Sequence, residues 1–180
     1  MSRKSGNLGK LIGVLGQDAD DHYKLLLSDD RQLVRRSVIR SFFAYVEGLT
    51  YVLKQATLEY SHKRPGEYTT AELALLNEET YGFNNKGESF ARRKFLPTAE
   101  NFLFAMHTFL RRIPNVHLDV QIGGPEWQEF CKALQIRHRI VHPKAASDME
   151  ISDAEKESII KVIGWFSHMV SPSYSTASSL

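Results

Sequence analysis

Apolar residues recur at Val34, Val38, Phe42, Tyr45, Leu49, Val52 and Ala56, in steps of three and four. That period puts them on one face of a helix. A second row, Ile39, Phe43, Val46 and Leu53, widens the stripe, as suits a central helix with two neighbours. The pattern predicts a helix from about Asp29 to His62, opened by Asp29 or Asp30 and stopped before Pro65-Gly66.

Further along, Thr69-Thr70-Ala71-Glu72 predicts a short helix, and Tyr81 to Phe95 is rich in glycine, asparagine and charge. Residues 63–97 therefore read as a connection or a surface insertion. Pro97 suits the first turn of a helix to about Ile113, with Phe102, Leu103, Ala105, Met106, Phe109 and Leu110 as its apolar residues. Val116 to Ile122 reads as a short extended piece closed by Gly123-Gly124. Pro125 restarts a helix that Pro143 stops after Val141. Ser152 to Glu155 has the spacing of a capping box, and Ile159, Ile163, Phe166 and Val170 follow at helical spacing. Residues 171–180 are serine-rich and read as a flexible tail. The expected fold class is all-α: a bundle of four to five helices in a single domain over 1–180.

Composition narrows the chemistry. A chain of 180 residues buries enough surface to fold without a staple. Its single cysteine, Cys131, excludes an internal disulfide and a cysteine-built metal site, and reads as a small buried hydrophobe. His22, His62, His107, His117 and His168 are scattered, so neither a metal nor a cofactor is expected. The apolar stretch Leu11 to Leu15 is too short for a secretory core, and no run approaches the ~20 residues of a membrane span. The expectation is a soluble cytoplasmic protein with no membrane contact. A net charge of +2 neither announces nor excludes a nucleic-acid binder. Gly9, Gly13 and Gly16 follow no strand and lack a Gly-Lys-Ser/Thr ending, so a phosphate loop is disfavoured.

The segment from Pro125 to Lys144 carries the most information. At about 100° per residue, with Trp127 at 0°, Phe130, Leu134 and Val141 fall near 300–340°, and Ala133 and Ile140 near 220–240°. Arg137 falls at about 280°, inside that apolar face, whereas Arg139 falls on the solvent side with Lys132 and Gln135. A guanidinium in an apolar stripe requires a carboxylate, a partner chain or an anion. His138 falls near Trp127 and Leu134, where a packed histidine is the favoured reading. His142 precedes Pro143, which pushes it out of the helical region, so the chain is expected to turn there and carry the ring toward Arg137.

Arg137, four intervening residues and His142 match an R-x4-6-H motif. With the all-helical pattern and the helix ending at the histidine, the chain resembles the HEPN superfamily from about residue 29 to 170. That resemblance implies a metal-independent endoribonuclease of the toxin–antitoxin or defence type, with RNA as substrate. It also implies a homodimer whose two motifs form one composite cleft, and an antitoxin protein as a partner. Arg137 would then hold the scissile phosphate and His142 would act as general acid or base. His138 stands where many members have a polar residue, often asparagine. Non-catalytic members exist, so a helical module binding a protein or a nucleotide is the alternative. A helical DNA binder is disfavoured, because the exposed charges of the Pro125 helix are mixed.

Glu47, in the Asp29 helix, is a possible partner for Arg137, although it falls with Arg36, Arg40 and Lys54 on the rim of the stripe, where a solvated ion pair is the favoured reading. For Arg137 and His142, a site and a structural arginine paired across the bundle stand as two open readings. Of the basic clusters Arg35-Arg36, Arg92-Arg93-Lys94 and Arg111-Arg112, the expectation is mainly solvated charge. Arg92, Arg93 and Lys94 are the best RNA-binding candidates, because a loop-like setting leaves them exposed.

Overall fold

A computed structural model describes residues 3–113 and 122–177 of the chain. The fold is predominantly all-α. Its helices are α1 (Arg3–Leu26), α2 (Gln32–Lys63), α3 (Thr70–Leu76), α4 (Thr98–Leu110), α5 (Pro125–Val141) and α6 (Asp153–Ala177). Between α3 and α4 a small antiparallel hairpin pairs β1 (Glu79–Phe83) with β2 (Ser89–Arg93). No helix among the described residues is long and apolar enough to cross a membrane. The extended piece expected over 116–122 lies, but for Ile122, outside the described residues, as does His117.

The chain divides into two compact units, Met1–Leu49 with Leu118–Leu180, and Thr50–His117. The division falls inside α2, whose residues 32–49 belong to the first unit and 50–63 to the second.

In the first unit, α2, α5 and α6 bury an aromatic cluster. Phe42, Phe43, Phe130 and Phe166 are almost wholly buried. Phe166 stacks on Phe130 at 6.1 Å and meets Phe42 edge-on at 5.4 Å, while Phe43 lies 5.8 Å from Phe130. Trp127 stacks on Phe130 at 5.3 Å, as its apolar position predicts, and Trp165 lies 6.1 Å away. Such pairs add about 0.5–1.5 kcal/mol each beyond the area they bury. Helix α1 comes against α2 through small residues. A Cβ on Gly16 would sit 3.4 Å from the Tyr45 ring, and one on Gly48 would overlap the Leu15 side chain. Gly48 thus leaves room for the Leu15 side chain to approach α2 and is not there for backbone freedom.

The sequence left residues 3–26 without an element, because four glycines blur the helical signal. The tail expected from Ser171 is helical through Ala177, the last turns of α6. Two local signals are met in full. Thr69 and Glu72 form a capping box at α3, and Ser152 and Glu155 exchange the same pair of bonds at α6 (3.2 and 2.9 Å).

In the second unit, Leu53, Tyr68, Leu76, Phe102, Met106 and Phe109 are buried. The Tyr68 hydroxyl donates to the Thr108 carbonyl at 3.0 Å. Lys54 of α2 is 2% exposed, and its ammonium donates to Glu78 Oε1 (3.0 Å) and Asn101 Oδ1 (3.1 Å). Burial pushes the Lys54 amine below its ordinary range, and the Glu78 carboxylate opposes that shift. Glu78 itself has a positive φ of 56°, a conformation rare outside glycine and asparagine. The half-buried ion pair ties its carboxylate to Lys54, at the foot of the hairpin.

Candidate functional site

Helix α5 begins at Pro125, whose missing N–H costs nothing in a first turn, and ends at Val141. His142 closes it with φ −124° and ψ 57°, leaving the helical region as the following proline requires. Its backbone N–H still reaches the His138 carbonyl at 3.0 Å. The His142 side chain is exposed and makes no hydrogen bond among the described residues. No hydrogen bond joins it to Arg137.

The Arg137 guanidinium instead donates to Glu47 Oε1 at 2.8 Å. The two side chains are 23% and 43% exposed, so this is a rim ion pair between α5 and α2. Both sequence expectations for Glu47 meet in it: the carboxylate is partly solvated, and it is the partner of Arg137. One N–H of the arginine fork is committed, and the remaining donors are not hydrogen-bonded within the described residues.

His138 is exposed, which corrects its reading as a packed residue. Trp127, Phe130, Ala133, Ile136 and Ile140 are the buried residues of α5, while Val141 is 38% exposed. The buried arc is therefore centred near Ala133 and Ile140, about 140° from His138. Cys131 is half-buried rather than buried. Arg139 is not a lone surface charge, since it donates to Glu155 Oε1 at 2.7 Å.

The chain after His142 is held by groups the sequence did not single out. Asp148 Oδ2 accepts from the backbone N–H groups of Lys144 (2.7 Å) and Ala145 (3.0 Å). Those bonds hold its carboxyl below the ordinary range. One polar face of α2 then receives the α5–α6 connection. Arg40 donates to the Ile140 carbonyl (3.1 Å), Arg36 to Met149 (2.8 Å) and Arg35 to Ile151 (2.8 Å). Gln32 exchanges two bonds of 2.8 Å with the Ile151 backbone. Spacings of three, four and eight along α2 were visible in the sequence, but not what they would bind.

Arg35 is committed further, to Asp30 and to Asp153, each at 2.7 Å. Lys156 also reaches Asp30, at 2.8 Å. Hydrogen bonds from Arg35 and Lys156 push the Asp30 carboxyl down to about 2. Arg111 and Arg112 are likewise occupied. Arg111 pairs with Glu72 at 2.8 Å and lies over the Tyr68 ring; Arg112 donates to the Ala56 carbonyl and lies over Phe109 and Tyr60. Both clusters are thus engaged within the fold.

Arg92, Arg93 and Lys94 differ. They are exposed, and their side chains make no ion pair or hydrogen bond among the described residues. Arg92 and Arg93 stand on β2 and Lys94 directly follows it, so a strand, not a loop, presents them. Among the described residues no group of three or more histidine, cysteine, aspartate or glutamate side chains is placed to hold a metal ion. No family model, curated protein or solved structure matches the chain.

Proposed function

We propose that the chain is a metal-independent endoribonuclease of HEPN type, acting in the cytoplasm as a homodimer whose two α5 ends share one cleft, with an antitoxin protein as its partner. One observation carries this reading: the last turns of α5 hold an arginine oriented by a carboxylate, followed by an exposed histidine whose ring has no hydrogen-bond partner among the described residues.

The chemistry of those groups fits phosphodiester transfer. Glu47 fixes one edge of the Arg137 guanidinium, leaving further donors for the oxygens of a scissile phosphate. Charge developing on those oxygens in the transition state is stabilised by a cation already in place. The exposed imidazole of His142 takes the proton of the ribose 2′-hydroxyl. The 2′-oxygen attacks phosphorus, the bond to the 5′-oxygen breaks, and the leaving oxygen is protonated by an imidazolium. The products are a 2′,3′-cyclic phosphate and a 5′-hydroxyl. His138, one turn before His142 and exposed, is the supporting polar group.

The test is an RNA-cleavage gel in EDTA at pH 6–8, with the wild type, His142→Ala and Arg137→Ala at equal concentration. Cleavage by the wild type alone, with cyclic-phosphate ends, is the expected result. Equal cleavage by all three would remove Arg137 and His142 from the reaction. Intact RNA throughout would leave the helical binding module, in which Arg137 serves as the clasp for Glu47.

A further inference from the structure

The hairpin of the second unit carries exposed rings and cations that have no hydrogen-bond or ion-pair partner among the described residues. Its register pairs Glu79 with Arg93, Tyr81 with Ala91 and Phe83 with Ser89 on one face, and Thr80 with Arg92 and Gly82 with Phe90 on the other. On the second face the Phe90 ring lies across Gly82, close enough that a Cβ there would meet it at 3.1 Å. On the first face the residues opposite Tyr81 and Phe83 are alanine and serine, too small to cover a ring. Tyr81 is consequently 57% exposed and Phe83 80% exposed.

The ribbon is held at both ends. At the tip, Asn84 Oδ1 accepts from the N–H groups of Lys86 (2.9 Å) and Glu88 (3.0 Å), and Gly87 supplies the positive φ of 76°. Asn84 Nδ2 also donates to the Glu88 carboxylate at 2.7 Å. At the foot, Lys94 N–H donates to the Glu78 carbonyl at 2.7 Å, and the Glu78 carboxylate is taken by Lys54. Two neighbouring acids are thus engaged, while Arg92, Arg93 and Lys94 are not.

We propose that this hairpin face binds single-stranded RNA, with bases stacking on Tyr81 and Phe83 and the phosphate backbone meeting Arg93, which shares their face. Residues two apart on a strand stand about 7 Å apart. That gap admits one base between two rings at about 3.4 Å from each, roughly the rise of a stacked strand. Uncovered rings beside an unpaired cation are the two elements by which single strands are held without sequence readout. The choice of RNA over DNA rests on the ribonuclease reading; the stacking surface does not.

The test is fluorescence anisotropy of the full chain with a labelled 2′-O-methyl oligouridylate of about twelve nucleotides, within the usual span of a single-strand site. Such a strand lacks the attacking hydroxyl, so binding is read without cleavage. Tyr81→Ala and Phe83→Ala are each expected to weaken binding about 5- to 150-fold. Arg93→Gln is expected to flatten the dependence of log K on log salt by about 0.7. The exposed variants should keep the wild-type Tm, and Arg92→Gln, on the opposite face, should leave the salt slope at its wild-type value. Absence of binding by the wild type, wild-type affinity in the ring variants, or displacement by anionic vesicles at lower concentration than by RNA would each overturn the proposal. Loss of binding in the ring variants alongside failure to cleave any RNA would retire the ribonuclease and leave the hairpin site standing.

Discussion

The α5–α6 connection and the β1–β2 hairpin are both rich in cations, and they use them in opposite ways. Around the connection, Arg35, Arg36, Arg40, Arg137, Arg139 and Lys156 each hold a carboxylate or a carbonyl. Around the hairpin, Arg92, Arg93 and Lys94 hold nothing among the described residues. Composition alone makes the two regions alike. The difference lies in whether carboxylates and loop carbonyls are brought to the cations, so basic residues committed within the fold are separated from basic residues with no partner among the described residues.

Substitutions sharpen that contrast, beginning with the rings. Phe130→Ala removes a wholly buried ring and should cost about 3–5 kcal/mol in chemical denaturation. Phe83→Ala, in the hairpin, should stay within about 0.5 kcal/mol; equal costs would mean that the hairpin ring is packed. Next come the cations. Arg35→Ala breaks charged bonds of a side chain only 10% exposed and should cost about 2 kcal/mol, against almost nothing for Arg92→Ala.

Acid should loosen the Asp30 clasp of the connection. The Asp30 carboxyl is held at about 2, below its ordinary 3.8, so the clasp contributes fully above the ordinary value and is lost as pH falls through about 2. Asp148 shifts in the same direction. The Tm difference between wild type and Asp30→Asn should therefore be constant above pH 4 and close as pH approaches 2. A difference unchanged down to pH 2 would break the assignment. Smallest of all is Glu47→Gln, expected to cost less than about 1 kcal/mol because the pair lies at the rim.

Much of this was legible where the signal was local. The start of α5 at Pro125, its end before Pro143 and both capping boxes follow from residues within a few positions of one another. The hairpin also left a signal: Glu79 to Phe83 and Ser89 to Arg93 flank Asn84-Asn85-Lys86-Gly87, a turn-forming run. Glycine and charge within it hid the alternation. His138 was misplaced because the wheel weighted Leu134 and Val141 as core, whereas Ile136 lies in the core and Val141 does not. Helix α1 was missed because its glycines lower helix propensity, and the contacts of Gly16 with Tyr45 and of Leu15 with Gly48 decide the matter from a distance.

By itself the sequence determined the helical period of α2, the limits of α5 and the break at His142, because backbone sterics and hydrophobic spacing act over a few residues. It also determined that Arg137 needs a partner, since an arginine on an apolar face cannot stand alone. Only the tertiary structure decided that the partner is Glu47, ninety positions away, and that Asp148 and the polar face of α2 hold the chain beyond His142. The same holds for which cations stay uncommitted. Charge pairing depends on distances of about 3 Å between residues far apart in the chain, and no spacing along the sequence encodes those.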